Sequence, residues 1–371
     1  MIIKTLKAGT ESDFREWQGL CANITDCDIC FYPQYALLSE TNDEGEATCF
    51  VYQKHDNDYI LFPFLKRKIN NISLFSQLRE TYYDIVSPYG YGGYLRSDGC
   101  TTPIDDFLKT FHMYCQDQHI VSEFVRFHPW LKTHEGCDIE IDVSLYNQVV
   151  AIDTAKTAEE MWSDFDRKCR NRIRKSAKEG VTIEIDSSPK AIEVFLPLYT
   201  ETMSRNEANL YYYFSKDYFR NMVKLLDGNI TFFHARLNHE IIASILVITG
   251  GAFANAHLAG TNTAYLHLSP MMALFHEAAI WAGKQGYRYF ILGGGRSSSP
   301  DDSLLKMKTK FAKETISFHT GKKIHLPEVY KELSHLKKIH IQQNKLDILH
   351  TEYFPEYRNI RFHSPTYSSA L

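Results

Sequence analysis

The strongest constraint on this chain is how its hydrophobic spacing switches between helix and strand periods after residue 157. Thr157-Ala158-Glu159-Glu160 reads as a capping box, which fixes a helix start. Met161, Trp162, Phe165, Cys169, Ile173 and Ala177 then recur at helical spacing, so one helix is expected up to Gly180. Val181, Ile183 and Ile185 alternate as a strand. Ser188-Pro189 starts a helix running toward Met203, and Ser215 caps another that ends near Gly228. Residues 230–237, 240–249 and 252–259 form three strands, the first pair turning at Asn238-His239. Ser269-Pro270 opens a long helix that Gly286 stops, and a strand over 287–292 ends in Gly293-Gly294-Gly295. This order is α+β and not a doubly wound sheet.

The first half is less regular. Residues 59–69 read as a strand in which Pro63 suggests an edge or a bulge. Pro103 opens a helix with Ile104, Phe107, Leu108, Phe111 and Cys115 on one face. Residues 123–127 and 148–153 read as further strands. A helical tail is expected after Gly321 to about Asn344, then an irregular aromatic end.

Length and charge divide the chain at the same place. Its 371 residues predict two domains. Residues 1–150 hold 12 Lys and Arg against 22 Asp and Glu, a net of −10, and residues 151–371 hold 29 against 23, a net of +6. The expected units are 1–150, 151–330 and a tail over 331–371. An anionic ligand would meet the second unit more readily. The overall charge of −4 excludes a wholly basic nucleic-acid binder. No export signal opens the chain, and the uncharged stretch 241–260 is broken by Gly250-Gly251, so it reads as two strands and not a membrane span. A cytoplasmic protein is expected, with its eight cysteines reduced and packed. Cys27-Asp28-Ile29-Cys30 lacks the second pair a zinc site would want, so no metal is expected.

Four constellations could carry chemistry. Arg167, Lys168, Arg170, Arg172, Arg174, Lys175 and Lys178 place seven cations in twelve residues, either an anion-binding face or a solvated one. Gly293-Gly294-Gly295 follows a strand, where backbone N–H groups could face an anion, but its spacing matches neither a dinucleotide fingerprint nor a P-loop; a tight turn explains it better. Lys306, Lys308 and Lys310 alternate, which in a strand would put all three on one face, as oxyanion stabiliser or as edge protection. The loop Ser87-Pro88-Tyr89-Gly90-Tyr91-Gly92-Gly93-Tyr94, with Arg126 and His128, could stack on a sugar or form a packed turn; Arg205 and the run Tyr211-Tyr212-Tyr213-Phe214 pose the same choice. No G-x-S-x-G and no H-E-x-x-H is present, so transfer without a covalent enzyme intermediate fits the inventory better than a triad hydrolase.

Taken together these stretches resemble the Fem-like branch of the GNAT acyltransferase superfamily. The resemblance rests on Trp162-x-x-Phe165, on the basic run Lys168 to Lys178 closed by Glu179-Gly180-Val181, on the strands over 230–259, and on helix 270–285 leading to Gly293-Gly294-Gly295. Met307-Lys308-Thr309-Lys310-Phe311 is similar to the family's F-K-x-x-F, with Met307 in place of the aromatic neighbour. The first half adds the glycine-tyrosine loop and Arg126-Phe127-His128-Pro129-Trp130. No Q/R-x-x-G-x-G/A pyrophosphate loop is visible.

The resemblance implies two GNAT-like α+β domains, with mixed, mainly antiparallel sheets, around a shared cleft. It implies transfer of an acetyl or aminoacyl group from acyl-CoA or aminoacyl-tRNA to the amine of a cell-wall or envelope-glycan precursor. No tightly bound cofactor and no DNA partner are implied, and tRNA is a candidate partner. Lys308 matches the lysine that stabilises the tetrahedral transition state. Tyr89, Tyr91, Arg126, His128, Arg205 and Tyr213 would line the acceptor side. Arg170, Arg172, Lys175, Gly293, Gly294 and Gly295 would hold donor phosphates. The competing expectation is a non-catalytic binding protein of the same fold in envelope-polysaccharide assembly, and a third is RNA recognition through the basic helix alone.

Overall fold

A computed structural model describes residues 1–297, 299, 301–344 and 353–359. The first half builds β1 (Ile2–Lys7), α1 (Glu11–Ala22), α2 (Pro33–Glu40), β2 (Glu46–His55), β3 (Asp58–Lys68), β4 (Tyr83–Val86), β5 (Leu95–Arg96), α3 (Ile104–Asp117) and β6 (Ile120–Arg126). There follow β7 (Asp142–Asp153), α4 (Ala158–Asp164), α5 (Arg167–Lys178), β8 (Val181–Asp186), α6 (Ala191–Arg205), α7 (Lys216–Leu225), β9 (Ile230–Leu237), β10 (Glu240–Gly250) and β11 (Phe253–Thr261). The remainder is α8 (Pro270–Lys284), β12 (Tyr289–Gly293), α9 (Ser303–Lys308), β13 (Ile316–Ile324) and α10 (Pro327–Asn344).

The α+β reading holds, and the two expected sheets are continuous. All strands but β5 follow one path, β1-β2-β3-β4-β6-β13-β7-β12-β11-β10-β9-β8. Among the named strands of the described residues, β4 with β6 and β11 with β12 pair in parallel and the rest antiparallel. Strand β7 joins the two regions, its 142–149 stretch bonding to β13 and its 150–153 stretch to β12. Strand β13 lies between β6 and β7, so residues near the end of the second unit complete the sheet of the first.

Four sequence expectations need correction. The expected helix from Thr157 to Gly180 is two helices: Phe165 turns extended, and the Asp166 carboxylate caps α5 by accepting from the Lys168 and Cys169 N–H groups. The lysines at 306–310 lie on α9 and a following 3-10 turn, not on a strand. Gly321 sits inside β13, and the tail helix begins only at Pro327. Pro63 is in an interior strand; on the side facing β4 and β5 it falls in the gap between those two partners, where no ladder bond is lost. The expected aromatic end lies outside the described residues except for 353–359.

The largest apolar core draws on both halves. Trp17, Phe31, Tyr35 and Tyr59 pack in one cluster with Phe195, Tyr199, Phe219 and Leu246. At the β10–β11 turn the contact becomes backbone to backbone. A Cβ on Gly250 would lie 2.4 Å from the Ile29 nitrogen, and one on Gly251 would lie 2.5 Å from the Asp26 carbonyl carbon. Only glycine permits this approach.

Candidate active site

The site forms where two parallel strands part. β11 pairs with β12 only over Phe253–Asn255 and Tyr289–Ile291, although β11 continues to Thr261. Val247 pairs with Ala256 and Leu246 with Leu258, which leaves His257 as an extra residue, a β-bulge in β11. β12 ends at Gly293, which takes a positive φ of 77° and turns the chain into the glycine loop.

Lys308 reaches this loop from the last turn of α9. Its Nζ donates to the Gly294 carbonyl at 2.7 Å. A Cβ on Gly293 would lie 3.6 Å from Lys308 Nζ and 3.9 Å from the Tyr91 hydroxyl, so lysine, tyrosine and loop backbone converge. Burial lowers the Lys308 ammonium from 10.5 to about 8, and the nearby Asp302 carboxylate opposes the shift. At neutral pH the group is therefore a desolvated cation beside a glycine backbone, suited to stabilising a developing oxyanion.

Tyrosines from both halves form the wall beside it. The Tyr91 ring packs edge-on to Phe318 at 5.3 Å, and Phe318 meets Tyr146 at 5.8 Å. Tyr89 touches Tyr211 and Tyr212, each at 6.3 Å, and packs edge-on to His257 at 5.4 Å. Burial raises the phenols of Tyr89 and Tyr91 well above their usual value, so both remain protonated donors. Burial likewise lowers His257 to about 4, and its Nε2 is enclosed without a hydrogen-bond partner among the described residues. Arg126 donates to the Ser87 carbonyl at 3.4 Å, and its charge acts on Tyr89, Tyr211 and Tyr212.

Other expected residues have structural duties instead. His128 is fully buried: Nδ1 accepts from the Leu131 N–H, so Nε2 carries the proton and donates to Asp28 at 3.0 Å. Asn255 also donates to Asp28, which ties the first half to β11. Both ring nitrogens of His128 are thus engaged inside the fold. Arg205 donates to the Thr261 carbonyl and the Thr263 hydroxyl, fastening α6 to the end of β11. Tyr213 is 40% exposed, and it is Tyr211 and Tyr212 that reach Tyr89. Arg170 donates to the carbonyls of Trp162, Ser163 and Phe165, closing the end of α4, so it is not free for a phosphate. Arg172 and Lys175 are exposed on α5, without an ion-pair partner among the described residues.

The glycine loop is also partly filled. The Asp302 carboxylate accepts from the N–H groups of Arg296 at 2.9 Å and Ser297 at 3.1 Å, so those two donors do not await a substrate anion. The signal for Asp302 was present as Asp302-Ser303-Leu304-Leu305, an N-cap before a helix; the alternating lysines drew the reading toward a strand.

One buried group combines metal-ligand types: Asp28, Cys30 and His128 hold their donor atoms within 4.8 Å. Their hydrogen bonds argue against a cation. Binding through Nε2 would force the proton onto Nδ1, against the Leu131 N–H. The Cys30 thiol is pushed well up by burial, away from the thiolate a metal needs. Two surface depressions, of about 480 Å³ beside Lys322 and Phe354 and about 230 Å³ beside Arg96 and Leu131, include neither Lys308 nor Tyr91.

Comparison with known proteins bears on this geometry. Residues 163–299 match the acetyltransferase (GNAT) domain family. The crystal structure of FemX superposes with a TM-score of 0.66 at 12% identity, covering 89% of this chain and 99% of that one. The chain thus carries a match to the GNAT domain and shares the fold of FemX. In sequence, the chain is similar to the UDP-N-acetylmuramoylpentapeptide-lysine N(6)-alanyltransferase of Weissella viridescens, 25% identical over 172 residues. That match covers 46% of this chain and spans half the length of the relative. The structure of L-PGS from Bacillus licheniformis shares the fold at a TM-score of 0.53 and 13% identity, covering 86% of this chain and 93% of that one. The GNAT match runs from the end of α4 through β12 and the glycine loop, and stops short of α9 and Lys308. No helix among the described residues is long and apolar enough to cross a membrane.

Proposed function

We propose that the protein is an N-acyltransferase that moves an aminoacyl or acetyl group from aminoacyl-tRNA or acyl-CoA to an amine of a cell-wall precursor, an amino sugar or a peptide. The observation that carries this reading is the convergence of Lys308 Nζ, the Tyr91 hydroxyl and the Gly293–Gly294 backbone where β11 and β12 separate. The alanyl transfer to lysine named for the Weissella viridescens relative supports an amine acceptor of cell-wall type. We assign residues 1–150 and 151–330 to two GNAT-like units, and the reaction to the cytoplasm.

The acceptor amine, delivered neutral, attacks the donor carbonyl. The carbonyl π electrons move to oxygen, and the Lys308 ammonium stabilises that oxyanion. Collapse of the intermediate expels the ribose hydroxyl or the thiol, and the proton lost by the amine balances the one the leaving group gains. Tyr89, Tyr91 and Arg126 face the acceptor. Arg172 and Lys175, exposed on α5, meet the phosphates of the donor. Purified protein offered charged tRNA and acetyl-CoA separately, with amino-sugar nucleotides and wall-precursor peptides as acceptors, should yield an acceptor heavier by one acyl group. Absence of any donor-dependent mass gain, together with acceptor binding, would favour the non-catalytic protein.

A further inference from the structure

We infer that Asp302 is a positioning residue: its carboxylate clasps the glycine loop to the start of α9 and so fixes where Lys308 meets the Gly294 carbonyl. The inference rests on Lys308 acting in acyl transfer. The two carboxylate oxygens do different work. Oδ1 accepts from the Leu305 N–H at 2.9 Å, which is the N-cap of α9. Oδ2 accepts from the N–H groups of Arg296 and Ser297, at 2.9 and 3.1 Å, and from the Ser297 hydroxyl at 3.3 Å. Lys308 closes the ring from the other end of α9, through Nζ to the Gly294 carbonyl. Loop and helix are thus held at both ends, by an anion on backbone N–H groups and by a cation on a backbone carbonyl.

Only a carboxylate does both jobs. Asparagine has one acceptor oxygen, so it keeps either the helix cap or the loop bonds. Gly295 shows how closely the clasp is built, because a Cβ there would lie 2.6 Å from the carboxylate carbon. The glycine run is therefore the seat of an internal anion, which gives it a purpose other than cradling a substrate phosphate. Asp302 touches no reacting atom. Its effect on catalysis runs through Lys308.

The test pairs Asp302→Asn with Gly295→Ala. The first removes a charge, and the second displaces the carboxylate while keeping it. Two readouts are followed, acyl transfer and the titration of Lys308, the latter from its rate of modification by an amine-directed reagent across pH, resolved by peptide mass spectrometry. Asp302→Asn should lower the Lys308 titration below its wild-type position, because the favourable carboxylate is gone, and should cut kcat by about a hundredfold with KM for the acceptor little changed. Gly295→Ala should slow transfer without that loss of charge, which keeps the inference testable if Asp302→Asn folds poorly. An unmoved Lys308 titration in Asp302→Asn overturns the clasp itself. A moved titration with unaltered transfer overturns the positioning role, and Lys308→Met in the same transfer assay separates that outcome from failure of the Lys308 assignment, since only the latter leaves its rate near wild type.

Discussion

Lys308 is held in a conflict between solvation and charge. Desolvation depresses its ammonium to about 8. A lysine left in water would stay protonated far above that value. If the ammonium stabilises the oxyanion, the rate should be level below pH 8 and fall as pH rises through 8, because the cation is lost there. A pH–rate profile of kcat checks this, and a rate still rising beyond pH 9 would remove the assignment. The stability consequence has the opposite sign. The unfolded chain binds this proton up to about 10.5 and the native chain only to about 8, so Lys308 makes the fold more stable as pH rises between those values. Lys308→Met should therefore abolish that pH-dependent increment while lowering kcat by about 10²–10³-fold. Lys308→Ala should lose as much rate. Chemical denaturation at pH 7 and pH 10 separates the structural effect from the catalytic one.

At the level of elements, the helices opened by Thr157, Ser215 and Ser269-Pro270 were legible in sequence, whereas α5 and α9, whose Asp166 and Asp302 caps were overridden by spacing, and elements defined by distant partners were not. Thr157-x-x-Glu160 forms the expected capping box, and Ser215 and Ser269-Pro270 mark true helix starts. The break at Phe165–Asp166 was missed because Met161, Phe165 and Cys169 keep helical spacing across it; Phe165 packs on Phe311 at 5.1 Å, which fills the stripe without a continuous helix. β13 was missed because its partners, β6 and β7, lie about 170 to 200 residues earlier and nothing local announces them. The site follows the same rule. Lys308 and the glycine-tyrosine loop could be picked from motifs, but whether a cation is free or bonded depends on tertiary contact, as Arg170, Arg205 and His128 show. This gives a prediction on α5. Arg170→Ala should destabilise the α4–α5 corner by about 1–3 kcal/mol, since three carbonyls lose their donor, and should leave tRNA affinity unchanged. Arg172→Glu with Lys175→Glu should do the reverse, weakening tRNA binding and flattening its salt dependence at constant melting temperature. Filter binding over a salt series and thermal melts of both variants check the pair.

Over the whole molecule, the two halves are chemically distinct in charge yet inseparable in structure. The acidic first half and the basic second half share the core built on Trp17, Tyr35, Tyr199 and Phe219. Their backbones meet at Gly250 and Gly251, where a single methyl group has no room. β7 and β13 then thread the sheet so that each half lacks a strand without the other. Gly250→Ala should accordingly cost about 1–3 kcal/mol of overpacking, read as a lower urea midpoint. The larger consequence concerns cooperativity. A chain cut after residue 150 leaves its first piece without β13 and with residues 142–149 of β7 unpaired on that side. The second piece loses the aromatic partners of Phe195 and Tyr199 and keeps only three residues of β7 for β12. Neither piece should fold alone, and co-expression should be needed to recover a soluble complex. In the intact chain, fluorescence from Trp17 in the first half and Trp281 in the second should lose its native signal in one transition, coincident with far-ultraviolet dichroism. Single-tryptophan variants that retain one of the two make the measurement. Two separated transitions, or a folded and soluble 151–371 fragment, would show that the halves are independent domains and that the cleft between them is free to open.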